Sequence, residues 1–170
     1  MVNTEDHRSA ARRLAELATS HVGRASGREP LREVLQWLTR GRLGQRHGWP
    51  VVPDLGTPWQ DTISPERAGW RQRAANVDAD GKRDFAFAVD YRICKKCRLG
   101  WVEHPYTAPQ YQRCGLATAG LVALRAEHPG VAWHTLGGHF ADSEPFWTNV
   151  GKNADGGYQQ RSLCPHITAG

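Results

Sequence analysis

The sequence predicts a mixed α/β fold: a mostly antiparallel sheet flanked by helices, with a helical N-terminal part. Three observations carry the prediction. Residues 84–107 hold two runs of strand character on either side of Lys95-Lys96, the pattern of a hairpin. A glycine-containing turn and an apolar-faced helical run follow over residues 112–128, and then another strand, which is a crossover connection. Upstream, residues 4–22 and 30–41 carry apolar residues at helical spacing.

Taken in order, the first helix is capped by Asn3 or Thr4, has Glu5 and Asp6 in its first turn, and presents Ala11, Leu14, Ala15, Ala18 and Val22 on one face. Pro30 opens a second, with Leu31, Val34, Leu35 and Leu38 inward and Gly41 as its stop. Residues 43–83 are punctuated by Pro50, Pro53, Pro58 and Pro65, which exclude a long regular element. There "WPVVPDL" reads as an edge strand or an extended segment, and "SPERAGWRQRAAN" carries a helix-start signature. From Asp84, "DFAFAVDYRIC" alternates Phe85, Phe87, Val89, Tyr91 and Ile93 on one strand face, and "CRLGWVEHPYT" is its partner. "GVAWHTL" is a third strand, "DSEPFWTNVG" a short helix and "GGYQQRSLCPHI" a last strand. The 170 residues make one domain, with a helical part at 1–45 and a core at 84–168.

Composition narrows the function classes. No apolar run is long enough to span a bilayer, and the N-terminus lacks a signal peptide's apolar centre, so the expected location is the cytoplasm. In a reducing compartment the four cysteines read as thiols or metal ligands rather than disulfides. The net charge of +5 is spread along the chain without a block of like charges and does not by itself indicate nucleic acid; a mildly basic face suits a phosphorylated cofactor or an acidic partner. The sequence sets no oligomeric state, and a homodimer is compatible with it.

The stretch "APQYQRCGLATAGLVALRAEHPG", residues 108–130, brings a strand through a turn into a helix N-terminus. Such a turn aims unpaired backbone N–H groups and the positive end of the helix dipole in one direction, which suits a phosphate or pyrophosphate. Gly115 and Ala117 leave the backbone approachable, and Arg113 adds charge. No Lys-Ser/Thr pair follows the glycine, so this is not a Walker loop, and the dinucleotide fingerprint's paired glycines are missing. An ordinary strand–turn–helix connection with small residues for packing is the bland alternative.

"PQYQRCGLA", Pro109 to Ala117, resembles the acetyl-CoA loop of the GNAT superfamily of N-acyltransferases, whose signature is Arg or Gln, two residues, Gly, one residue, Gly or Ala. Gln112, Gly115 and Ala117 fill those places, and Pro109 and Tyr111 match the lead-in. "LGWVEHPYT" stands where the family has its fourth strand, and "SEPFWTNVG" resembles its later "A-x-x-F-Y-x-x-x-G" helix. The resemblance covers residues 84–168 and implies a GNAT-like sheet and an N-acetyltransferase that moves an acetyl group from acetyl-CoA to an amine by direct attack. By position, Gln112, Arg113, Cys114, Gly115, Leu116 and Ala117 would form the pyrophosphate turn, and backbone near His104 to Thr107 would face the pantetheine.

An amine at neutral pH must lose a proton. Glu103 and His104, on the strand that the resemblance turns toward the thioester, are the first candidates for the base, and His134 and His139 the second. The bland reading of each is a solvated carboxylate or a surface imidazole. Trp147 occupies the place where many family members have a tyrosine that protonates the leaving thiolate, and indole donates no useful proton. Ser143, Tyr158 or solvent would have to substitute. Alternatively, the chain is a catalytically weak, acyl-CoA-binding or regulatory module.

"CKKC" places Cys94 and Cys97 at the hairpin tip in the C-x2-C spacing of a zinc knuckle, and "LCPH" supplies Cys164 and His166. Together they would make a closed, structural Cys3His set for zinc. Reduced thiols without a metal are the competing reading, and a redox pair lacks the helix N-terminus that lowers a thiol pKa. A small zinc-containing nucleic-acid binder is a third functional reading, drawn from the basic charge, the C-x2-C and seven tryptophans. Trp101 and Trp133 lie within apolar strands, however, and read as core rather than as stacking platforms.

Overall fold

A computed structural model of the chain describes residues 4–25, 54–79 and 82–168. The second helix expected from Pro30 to Gly41 and most of "WPVVPDL" lie outside these residues.

Helix α1, Thr4–Glu16, buries Ala11 and Leu14, with Ala18 tucked in just past its end. It is shorter than the expected 4–22, because Val22 belongs to a short strand, β1 (Val22–Arg24). The strands β2 (Trp59–Ile63), β3 (Arg71–Ala79), β4 (Lys82–Cys94) and β5 (Leu99–Thr107) follow. After a single 3₁₀ turn at Pro109–Tyr111 come α2 (Leu116–Glu127), β6 (Ala132–Thr135), α3 (Glu144–Gly151), β7 (Gln159–Gln160) and α4 (Pro165–Thr168). The seven strands form one mixed sheet in chain order, antiparallel from β2 to β5 and parallel at both margins. Among the described residues no helix is long and apolar enough to cross a membrane.

The main core lies where α1 and α2 cover one face of the sheet, around Trp59, Phe87, Val89, Tyr91, Val102, Leu121 and Leu124. Trp59 caps α1 as well as filling space: its indole N–H donates at 2.7 Å to the Leu14 carbonyl, which also accepts the Leu17 N–H at 3.1 Å in the tightened last turn. The helix α2 sits close to the sheet at Gly120, where an added Cβ would stand 2.7 Å from Phe87 Cε1. A smaller second core of Trp70, Leu99, Trp101 and Ile167, with Cys94 and Cys164, packs against the other face. Both Trp101 and Trp133 are buried, as their strand positions led one to expect.

A buried ionic network ties β2, β3 and α2 together. Arg73 is fully buried and donates two hydrogen bonds to Asp61 Oδ2 (3.1 and 2.8 Å) and two to the Glu127 carboxylate (3.0 and 2.6 Å). Arg71 and the Tyr91 hydroxyl also bond Asp61, and Arg24 reaches Glu127 at 3.0 Å.

Three local expectations need correction. "SPERAGWRQRAAN" does not open a helix: the Ser64 hydroxyl accepts the N–H groups of Glu66 and Arg67 at 3.3 and 3.1 Å, but the chain only turns there and leaves as β3. Cap chemistry serves turns as well as helices, and the alternation of Arg71, Arg73, Ala75 and Val77 decides the strand. Phe85 does not share the inward face of Phe87. A bulge sets Ala75 opposite Phe87 but Asn76 opposite Phe85, and Phe85 ends 40% exposed, stacked on Tyr106. The last strand contracts to Gln159–Gln160, and the Cys164–His166 stretch turns into α4 instead.

Candidate functional site

The parallel strands β5 and β6 pair only over Leu99–Trp101 and Ala132–His134. Beyond Trp101, β5 continues to Thr107 while β6 stops at Thr135, so the two strands part and, among the described residues, that edge of β5 has no neighbouring strand. Glu103 bridges the parting, with its Oε1 accepting the Leu136 N–H at 2.6 Å. A second bulge lies just beyond. Ala88 faces Tyr106 but Asp90 faces Glu103, so Val89 stands against both His104 and Pro105, and His104 takes a φ of +49°. The bulge breaks the ladder and re-aims the backbone around His104.

The segment from Pro109 to Ala117 begins where β5 ends. The Ala108 N–H bonds the carbonyl of the bulged Ala86 at 3.0 Å, and buried Tyr111 donates its hydroxyl to Asp84 at 2.8 Å. Gln112 Nε2 returns to the Thr107 carbonyl at 3.2 Å. Cys114 and Leu116 point into the core, whereas Gln112, Arg113 and Gly115 are exposed. Arg113 (φ +60°) and Gly115 (φ +86°) take left-handed backbone on either side of Cys114, so the chain turns sharply just before the helix. Helix α2 has no side-chain cap at Gly115, and its first internal bond runs from Ala119 to Gly115, so the N–H groups of Leu116, Ala117 and Thr118 have no carbonyl within the helix. An added Cβ at Gly115 would meet nothing within 4 Å. Glycine is required here for its φ, and the space in front of it is open. The buried Cys114 thiol contacts the Gln112 carbonyl at 3.5 Å, which suits a packing residue.

At the other, paired end of β5 the β4–β5 hairpin meets α4. One ligand atom from each of Cys94, Cys97, Cys164 and His166 lies within 4.8 Å of all the others, and this group can hold a metal ion. Cys97 Sγ stands 3.1 Å from His166 Nδ1, and the Cys97 N–H points at Cys94 Sγ at 3.4 Å. That N–H lowers the Cys94 thiol pKa, while burial and the neighbouring Cys164 and Cys94 push Cys97 up to about 11. None of the four cysteines is in a disulfide.

No family model, curated protein or solved structure matches this chain.

The residues expected to handle protons fall into distinct environments. Exposed His104 sits on the bulge itself. Glu103 is engaged on both oxygens, by Leu136 N–H and, at 3.8 Å, by Arg67. Ser143 begins α3 with its hydroxyl donated to the Phe140 carbonyl at 3.0 Å. Tyr158 is fully buried, its hydroxyl accepting from Arg125 at 3.3 Å near the Val150 carbonyl. Arg125 lies in the last turn of α2, so that hydroxyl is not brought to the turn at Gly115, and burial further raises its pKa. Buried His134 directs Nδ1 at the Gln159 carbonyl (3.2 Å), leaves Nε2 without a partner among the described residues, and is held toward its neutral form by burial. His139 lies flat on Trp147, with ring centroids 4.8 Å apart.

Sequence reasoning overlooked Asp90. It sits on the β4 face that the alternation assigns outward, yet it is 3% exposed and stands directly across from Glu103. Gln72 Nε2 bonds it at 3.2 Å, and burial raises its carboxyl above the ordinary range despite that bond. The one available signal was its place opposite Glu103 in the hairpin register.

Proposed function

We propose that the chain is an acetyl-CoA-dependent N-acetyltransferase with a GNAT-like sheet, transferring an acetyl group to an amine. The observation that carries this reading is the parting of β5 from β6 immediately before an uncapped, open turn at the N-terminus of α2. The turn offers N–H groups from Arg113 to Thr118 to a pyrophosphate. The freed edge of β5 offers backbone groups around His104 to Thr107 to the pantetheine, and a backbone N–H near the bulge would polarise the thioester carbonyl. The amine nitrogen attacks that carbon, a C–N bond forms, the C–S bond breaks, and the sulfur leaves as a thiolate. Asp90, with its raised pKa and its place beside Glu103, is the better base for the amine proton, and Glu103 positions the gap between the strands. His139 lies over Trp147, where the family's tyrosine would stand, and is a candidate, with solvent, to return a proton to sulfur.

Cys94, Cys97, Cys164 and His166 suit zinc. Thiolate and imidazole donors select it among the common divalent ions. Zn–S bonds of about 2.3 Å in a tetrahedron place ligand atoms about 3.8 Å apart, in keeping with the observed cluster. Four protein ligands leave no open position, so the role is structural.

Calorimetric titration with acetyl-CoA, in the native chain and in Gly115→Glu, tests the reading. Glutamate would fill the open space and repel phosphate, so binding should be lost while the circular dichroism spectrum is retained; equal affinity in both proteins would sink the proposal. The reading as a weak binding module draws on one observation, the buried indole of Trp147 in place of a tyrosine hydroxyl. Acetyl-CoA binding with no turnover on a broad amine panel would favour it.

A further inference from the structure

The basic charge that looks dispersed along the sequence is gathered in space. A cavity of about 690 Å³ opens beside the C-terminal end of α2, against the first turn of the β4–β5 hairpin. At 1.5 Å per residue, the twelve residues of α2 put it about 18 Å from the Gly115 end of that helix. Arg24, Arg71, Arg92, Lys95 and Arg98 line the cavity, and buried Arg73 stands behind it, bridging the lining residues Asp61 and Glu127. Six cations thus surround two carboxylates, a surplus of four in a chain whose whole net charge is +5.

The two carboxylates are already taken by Arg24, Arg71 and Arg73. Arg92, Lys95 and Arg98 have no carboxylate partner among the described residues. Backbone carbonyls steady two of them: Arg92 donates to Ile167 O at 3.2 Å and Arg98 to Gly130 O at 3.1 Å. Each guanidinium keeps further N–H donors free, in the forked geometry that matches phosphate, and Lys95 adds a point charge. Ile93, Pro129 and Val131 supply apolar wall. The volume lies within the ordinary range for a small-molecule site. The negative end of the α2 dipole works against an anion here, but only as a partial charge against a surplus of four.

We propose that this cavity is a second ligand site, for a small molecule bearing two phosphate groups, separate from the turn at Gly115. The inference does not depend on the acyl-transfer reading. Its probe is fructose 1,6-bisphosphate, titrated calorimetrically into the intact chain at low salt, with fructose and inorganic phosphate as comparison arms. The bisphosphate should bind more tightly than phosphate, fructose should not bind, and affinity should fall as salt rises. Affinity should drop about tenfold or more in Lys95→Glu and in Arg98→Gln, since each removes a charge-assisted contact. It should be unchanged in Arg113→Glu and in the presence of saturating acetyl-CoA. Melting curves of the variants check that the fold survives; Lys95 is exposed and makes no hydrogen bond among the described residues, so Lys95→Glu should keep it. Absence of bisphosphate binding, displacement by acetyl-CoA, or full affinity in folded Lys95→Glu would overturn the proposal.

Discussion

Replacing Arg73 with methionine keeps most of the volume and removes the charge and all four of its hydrogen bonds to Asp61 and Glu127. Breaking a buried ion pair from one side costs about 3–5 kcal/mol, because the partner is left charged and desolvated. The lower end applies here. Asp61 keeps Arg71 and the Tyr91 hydroxyl, and Glu127 keeps Arg24, so two carboxylates still face two arginines. We expect a loss of about 3 kcal/mol, or roughly 6–12 °C in melting temperature for a domain of this size. Urea unfolding at pH 7 measures it. The pH dependence supplies a second check. Burial works to raise the Glu127 carboxyl, but Arg73 and Arg24 together hold it below its ordinary 4.5. A carboxylate depressed in the folded state contributes stability that is complete above its unfolded pKa and disappears as pH falls through the folded one. The native chain should therefore lose stability below about pH 4.5, and Arg73→Met should lose less over the same interval. A cost under 1 kcal/mol, or an unchanged acid profile, would refute the view that Arg73 holds this network together.

Gly120→Ala drives a methyl into Phe87 and should cost about 1–3 kcal/mol by overpacking, read from the same urea titration. Chelation, or Cys164→Ser, should lower the melting temperature, and metal affinity measured against a colorimetric chelator should rise from pH 6 to pH 8 as the thiols give up their protons. Asp90→Asn should reduce kcat about 10²–10⁴-fold with little change in acetyl-CoA affinity, the loss expected for a general base; undiminished turnover returns that role to Glu103 or His104.

What was legible in the sequence followed from local chemistry. The β4–β5 hairpin, the turn into α2 and the α3 helix each announce themselves through periodicity, glycine or proline, and the structure has them in the expected order. The Cys94, Cys97, Cys164 and His166 set is legible from donor type and the C-x2-C spacing, even though Cys164 and His166 stand at the start of α4 and not on the expected strand. The bulges were not legible, because a single extra residue leaves the alternation of the rest intact. That is why the alternation places Phe85 inward and gives no sign of the left-handed backbone at His104. Asp90 escaped because the alternation puts it on the outward face, where its register opposite Glu103 was the one signal; the cationic cavity escaped because it gathers residues far apart in the chain, and charge counted along a sequence says nothing about where it converges.

The cluster of three thiols and an imidazole also bears on how the gap between β5 and β6 can move. It lies beside Leu99, where the two strands are paired, while the gap widens toward Thr107. His166 and Cys97 are 69 residues apart, and between them runs the whole stretch that carries β5, α2, β6 and α3. With a metal in place, the base of that stretch is pinned like the rivet of a pair of tongs, and opening is confined to the free tips. Without it the pivot itself loosens. Amide exchange along Ala132–Thr135 would then quicken from the paired end inward, in a strand that makes no contact with the metal.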